Sequence, residues 1–111
     1  MRRILVALGI IAFLATLGPL GFALGSNTRV DVSQKGRAFA PGSVVISAGD
    51  TVAIHNDDEY VHQVYVDNPS FRFDSGEQEI GQTAEITFPV AGNFQVLCAI
   101  HPKMRLDVLV K

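Results

Sequence analysis

Past Ser26 the apolar residues of this chain recur at every second position, and no segment holds a helical period. Residues two apart share one face of a strand. Phe94, Val96 and Cys98 therefore point the same way, as do Met104, Leu106, Val108 and Val110, opposite Arg105 and Asp107. This rhythm, broken every few residues by Gly, Pro, Asn or Asp, dictates an all-β sandwich or barrel.

Seven short strands are predicted, at 29–35, 43–47, 51–56, 61–67, 84–88, 94–100 and 104–110. Pro41-Gly42, Ala48-Gly49-Asp50, Asn68-Pro69-Ser70, Pro89 and Ala91-Gly92-Asn93 separate them. Residues 71–82 are predicted to be irregular, with a turn at Asp74-Ser75-Gly76 and with Phe71 and Phe73 anchored in the core.

The N-terminus has a different character. Met1-Arg2-Arg3 precedes an almost unbroken apolar run from Ile4 to Leu17, which Pro19, Gly21 and Gly25 then weaken. Ala23 and Gly25 place small residues at −3 and −1 of a cut before Ser26, so 1–25 reads as a secretory signal peptide with a helical apolar region. An uncleaved anchor competes, because Ile4 to Leu24 is 21 residues long and about 20 cross a bilayer. Either way the domain at 26–111 is expected to be exported: periplasmic if cleaved, on the outer face of the membrane if not. It has no other membrane span and reads as a monomer.

Of the nine Lys and Arg in the chain, Arg2 and Arg3 lie in that leader. The seven that remain face eleven Asp and Glu, a net charge of −4. Such a balance excludes nucleic acid, which calls for a basic stripe. A lone cysteine forms no internal disulfide, and in an exported chain it points to a reactive thiol, an intermolecular bridge or a metal.

The metal reading draws on Cys98-Ala99-Ile100-His101-Pro102-Lys103-Met104, which has the spacing C-x2-H-x2-M. Thiolate and thioether are soft donors and imidazole is borderline, a set that favours copper over magnesium, calcium or manganese. A second imidazole is still needed. His62 shares its face with Val64 and Val66, so it faces inward like Cys98 and Met104, while His101 stands in the loop between the last two strands. Singly, a Cys or Met on an apolar face is ordinary core. It is the convergence of four such donors that speaks for a site. His55 faces opposite Val52 and Ile54, beside no other donor, and reads as a surface residue.

With these residues the chain resembles a cupredoxin, a type 1 (blue) copper protein of the plastocyanin and azurin superfamily. Phe39-x-Pro41, Val44-x-Ile46-x-x-Gly49-Asp50-x-Val52, Asn56-x-Asp58-x-x-x-His62 and Gly92-x-Phe94-x-Val96-x-Cys98-x-x-His101 carry the likeness. The short ligand loop is most similar to amicyanin-like members. The resemblance implies a Greek-key β-sandwich of seven to eight strands and one copper per chain. It also implies that His62, Cys98 and His101 form a trigonal set with Met104 as the weak axial ligand. Val61, Gln63 and Ala99 depart from the residues many members carry beside the ligands, so the potential depends on this chain's own outer shell.

The function implied is a small soluble electron carrier cycling Cu(II)/Cu(I). Its partners would be a cytochrome or oxidoreductase docking near His101, at a surface formed by Pro102, Lys103 and apolar neighbours. The alternative is a copper carrier or chaperone that hands on the ion. Enzymatic activity is not expected, since no nucleophile–base pair or acid/base dyad is apparent. Asp57-Asp58-Glu59 reads either as a solvated turn or as an acidic contact for a cationic partner.

Overall fold

The structure is a computed structural model that describes residues 27–111. The segment 1–25, read above as a signal peptide or anchor, lies outside the described residues. No helix occurs among them, and none is therefore long and apolar enough to cross a membrane.

Nine strands form two sheets packed as a sandwich: β1 (Arg29–Gln34), β2 (Phe39–Ala40), β3 (Ser43–Ile46), β4 (Thr51–Asn56), β5 (Val64–Asn68), β6 (Phe71–Asp74), β7 (Thr83–Thr87), β8 (Gly92–Cys98) and β9 (Arg105–Val110). One sheet runs β2-β1-β4-β7 and the other β3-β9-β8-β5-β6. β1 pairs with β4, and β3 with β9, in parallel; the remaining pairs are antiparallel.

Period-two alternation is realised almost residue by residue. In β9, Leu106, Val108 and Val110 are buried and Arg105, Asp107 and Leu109 exposed. In β7, Ala84 and Ile86 are buried between exposed neighbours. Each fully buried Val, Leu, Ile or Phe contributes about 1.5–3 kcal/mol relative to exposure. An aromatic cluster of Phe71, Phe88 and Phe94, with ring centroids 5.4–6.1 Å apart, ties the two sheets together.

Two predicted features change. Residues 71–82 are not wholly irregular: Phe71–Asp74 is β6, which pairs with β5 through Val66↔Phe73 and Asn68↔Phe71. Its short reach and the turn after Asp74 hid it in the sequence, whereas Phe71 and Phe73 do pack against the core as expected. β2 is two residues long, below what periodicity detects.

The turn at Ala48-Gly49-Asp50 is as predicted. Gly49 takes φ +96°, a left-handed conformation that suits glycine. The Asp50 carboxylate accepts the backbone N–H groups of Thr28 and Ser47, each at 2.8 Å. That turn closes the end of the sandwich where β1 begins. At the opposite end three connections gather: 57–63 from β4 to β5 and 75–82 from β6 to β7, which cross between the sheets, and 99–104, the hairpin between β8 and β9. The first carries His62 and the hairpin carries His101 and Met104, with Cys98 at the end of β8.

Candidate metal centre

Cys98 is the last residue of β8, inward like Phe94 and Val96, and 1% exposed. His62 lies two residues before β5 rather than inside a strand. A single bridge to Gln78 replaces the strand pairing: His62 N–H donates to the Gln78 carbonyl at 3.1 Å, and Gln78 N–H returns the bond at 2.7 Å. The extended backbone is thereby kept, so His62 still shares the buried face of Val64 and Val66. Met104 likewise stops one residue short of β9 and is 2% exposed. Its N–H donates to the His101 carbonyl at 3.0 Å, which closes the loop as a tight turn. His101 is half-buried.

Three of the four expected donors meet through nitrogen and sulfur atoms. His62 Nδ1 lies 3.6 Å from Cys98 Sγ, His101 Nδ1 lies 3.9 Å from the same sulfur, and the two nitrogens are 3.1 Å apart. A first-row ion in the plane of these donors, with bonds of about 2.0 Å to nitrogen and about 2.3 Å to sulfur, needs about 3.5 Å between nitrogens and about 3.7 Å from nitrogen to sulfur. The observed triangle is within a few tenths of an ångström of that, so the donor set fits. Among the described residues this is the one group of His, Cys or carboxylate donors close enough to hold an ion.

The surroundings bias each donor toward ligation. His62 Nε2 is 3.0 Å from Asp58 Oδ2, with both side chains buried. A carboxylate acceptor holds the proton on Nε2 and leaves Nδ1 with its lone pair for metal. Burial, then repulsion from His62 and Arg37, keeps the His101 imidazole below its ordinary value, which favours the neutral ligating form. Gln63 N–H donates to Cys98 Sγ at 3.4 Å, stabilising negative charge on sulfur. Gln63 is itself pinned, its carbonyl by Ala99 N–H at 2.9 Å and its side chain by Asp74 at 2.9 Å.

Asp58 departs from the solvated turn or acidic contact read for 57–59, in which only Asp57 and Glu59 are exposed. It is 6% exposed and accepts N–H groups from Gly36, Arg37 and Glu59 besides the His62 imidazole. Asp57 accepts from Ser33 Oγ. His55 faces outward as expected, but it is not without partners: Asp31 and Thr83 bond its two nitrogens at 2.8 and 2.7 Å.

A buried amide network behind His62 escaped the sequence reading. Gln34 Nε2 donates to Gln78 Oε1 at 2.7 Å, and Gln78 Nε2 donates to the carbonyls of Ile54 and Gln82, both at 2.9 Å. Asn56 Nδ2 donates to the carbonyls of Tyr60 and Gln78, and its Oδ1 accepts from Asp58 N–H. A sequence signal did exist. Gln34 follows Val30 and Val32 on the inward parity of β1, and Asn56 follows Val52 and Ile54 on that of β4. A polar residue at an inward position needs a partner, and here both serve the same wall.

Comparison with known proteins bears on this geometry. Residues 26–111 match the family described as copper binding proteins, plastocyanin/azurin family. No curated protein matches the chain by sequence. Among solved structures, amicyanin from Paracoccus versutus is 28% identical, with a TM-score of 0.69 over 80% of this chain and 87% of that one. A purple cupredoxin from Nitrosopumilus maritimus shares the fold at 21% identity, with a TM-score of 0.66 over 74% and 99%. A copper-containing nitrite reductase from Thermus scotoductus SA-01 aligns at 27% identity and a TM-score of 0.67, over 75% of this chain but only 22% of its own.

Proposed function

Because this chain belongs to the plastocyanin/azurin family of copper-binding proteins, with copper as its metal, we propose that it is an exported electron carrier. It holds one copper through His62, Cys98 and His101, with Met104 as the axial donor, and exchanges electrons with redox proteins docking near His101. The observation that carries this reading is the triangle of two imidazoles and one thiolate within 3.9 Å, of which only His101 reaches the surface.

Bound copper supplies a one-electron couple between Cu(II) and Cu(I), which prefer different geometries. The chain's part is to keep its donors still while the charge changes. Cys98 is fixed by β8 and by the Gln63 N–H. His62 is fixed by its bridge to Gln78 and by Asp58. The 99–104 loop is tied at both ends, by Ala99 N–H to Gln63 and by Met104 N–H to His101, and Pro102 biases His101 toward extended backbone. A buried donor set with one imidazole at the surface gives electrons a single short way out, through the His101 ring. Around that ring lies an open recess lined by Arg37, Ile100, Pro102, Lys103 and Met104, the natural place for a partner.

The reaction named for the nitrite reductase belongs to a protein of which this chain spans 22%, and we assign no catalysis here. The leader at 1–25 supports export to the periplasm or the outer membrane face. Absorption and EPR spectra of the Cu(II)-loaded domain test the assignment, with Cys98→Ser alongside. An intense visible thiolate-to-copper band that vanishes in the variant is expected. A parent without that band, or with readily exchanged Cu(I) alone, would favour a copper-handling role.

A further inference from the structure

Arg37 belongs to the opposite sheet from the ligand loop, yet it stands at the recess beside His101. It lies in the turn from β1 to β2 with φ +58°, a left-handed backbone uncommon outside glycine. Asp58 holds it there by accepting the N–H groups of Arg37 at 2.8 Å and Gly36 at 3.2 Å. The guanidinium carbon sits 4.2 Å from the centroid of the Tyr60 ring, and that ring meets His101 edge-on at 6.0 Å. Both the backbone and the stacking face of Arg37 are therefore fixed.

Its hydrogen-bonding edge is not used. Arg29, Arg72 and Arg105 each have a carboxylate within 4 Å, whereas Arg37 has neither an ion pair nor a side-chain acceptor among the described residues. Lys103 also lacks one, and no carboxylate lines the recess between them. A guanidinium presents its donors as a planar fork that matches a carboxylate. Stacked, anchored and unpaired, this one is preorganised for an acceptor from outside the chain.

We propose that the recess around His101 docks redox proteins that carry carboxylates around their own electron port, with Arg37 as the residue that selects them. This rests on the electron-carrier reading above. The local sign is opposite to the net charge of −4 on residues 26–111. Asp58, whose carboxylate bonds the Arg37 backbone, is buried and already engaged by Gly36, Arg37, Glu59 and His62, so at contact the two exposed cations beside an apolar floor dominate where water is displaced.

The test is stopped-flow oxidation of the Cu(I)-loaded protein by two outer-sphere reagents. Hexacyanoferrate(III) is an anion, and it takes one electron from the protein to become hexacyanoferrate(II). The tris(phenanthroline)cobalt(III) cation takes one electron to become the cobalt(II) complex. We expect the hexacyanoferrate rate to fall as salt is raised, and to drop about three- to ten-fold in Arg37→Asn and in Lys103→Gln. Asn tolerates the left-handed backbone, and an unchanged visible spectrum certifies the fold. The cobalt reaction should hold steady or quicken, and polyglutamate should compete with hexacyanoferrate.

A rate that rises with salt, as the net charge alone dictates, overturns the proposal. So does an equal response to both reagents, or indifference to polyglutamate. Redox-inert hexacyanocobaltate(III) provides a reading independent of electron transfer. It should shift the amide resonances of Arg37, Ile100 and Lys103 in the diamagnetic Cu(I) protein, and shifts confined elsewhere count against the recess. If neither oxidant reacts, the electron-carrier reading fails, while the inert-anion titration still reports on the recess itself.

Discussion

Asp58 and His62 form a buried carboxylate–imidazole pair, 3.0 Å apart, that joins the candidate metal centre to the turn between β1 and β2. His62 Nδ1 is thereby left for copper and Arg37 is set in place at the rim. One carboxylate thus organises both the deepest donor and an exposed cation of the site.

Asp58→Ala removes the acceptor that fixes the His62 tautomer and ring. Copper affinity should fall about 10- to 100-fold, the usual cost of losing an outer-shell partner, with Asp58→Asn intermediate. Competition against a Cu(I) chelator measures it. Equal affinity in all three proteins would reduce Asp58 to a structural role.

Acid should unfold the metal-free protein through the same group. Burial works to raise the Asp58 carboxyl, but the N–H groups of Arg37 and Glu59, the His62 imidazole and Gly36 N–H outweigh it and hold it at about 2. A folded-state value below the unfolded 3.8 gives stability that is full above about pH 4 and is lost as pH falls toward 2, worth on the order of 2 kcal/mol. Asp50 acts with the same sign, lowered by the N–H groups of Thr28 and Ser47. Urea midpoints between pH 6 and pH 2.5 should decline in the parent and decline less in Asp58→Ala.

Gln78→Ala would strand Gln34 Nε2 in a buried setting and take one donor from the carbonyls of Ile54 and Gln82, the latter still accepting the Asn56 N–H. A loss of about 1–3 kcal/mol follows from one stranded buried donor. Denaturant titration reads it. A loss under about 0.5 kcal/mol, in the range of ordinary surface changes, would show that water replaces the amide without penalty.

Met104→Leu conserves volume at a site 2% exposed, so stability should drop by less than about 1.5 kcal/mol. The potential should nonetheless rise, because losing a donor costs the more highly charged Cu(II) more than Cu(I). Voltammetry of the loaded protein decides it. An unchanged potential would remove Met104 from the ligand set.

Much of the fold was legible because a strand repeats every two residues and this chain keeps that period wherever a strand is long enough. β7, β8 and β9 could be read straight from Ala84 to Val110. β2 could not, since two residues carry too little pattern, and β6 was hidden by the turn that follows it at Asp74-Ser75-Gly76. The alternation puts His62 and Met104 inside strands, and both in fact lie just outside. Their inward orientation survived because a bridge and a tight turn continue the extended path.

The sequence by itself determined which donors exist, how Cys98, His101 and Met104 are spaced, and which of the four face inward. Donor chemistry and alternation are local properties, written in residue types and their parity. The tertiary structure alone decided that His62 comes within 3.6 Å of Cys98, that Asp58 is buried behind it, and that Arg37 reaches the rim from the other sheet. The His62–Cys98 contact and the bonds of Asp58 to Gly36 and Arg37 join residues more than twenty positions apart, and they depend on how two sheets and their connecting loops close over one another. No periodicity along the chain encodes that closure.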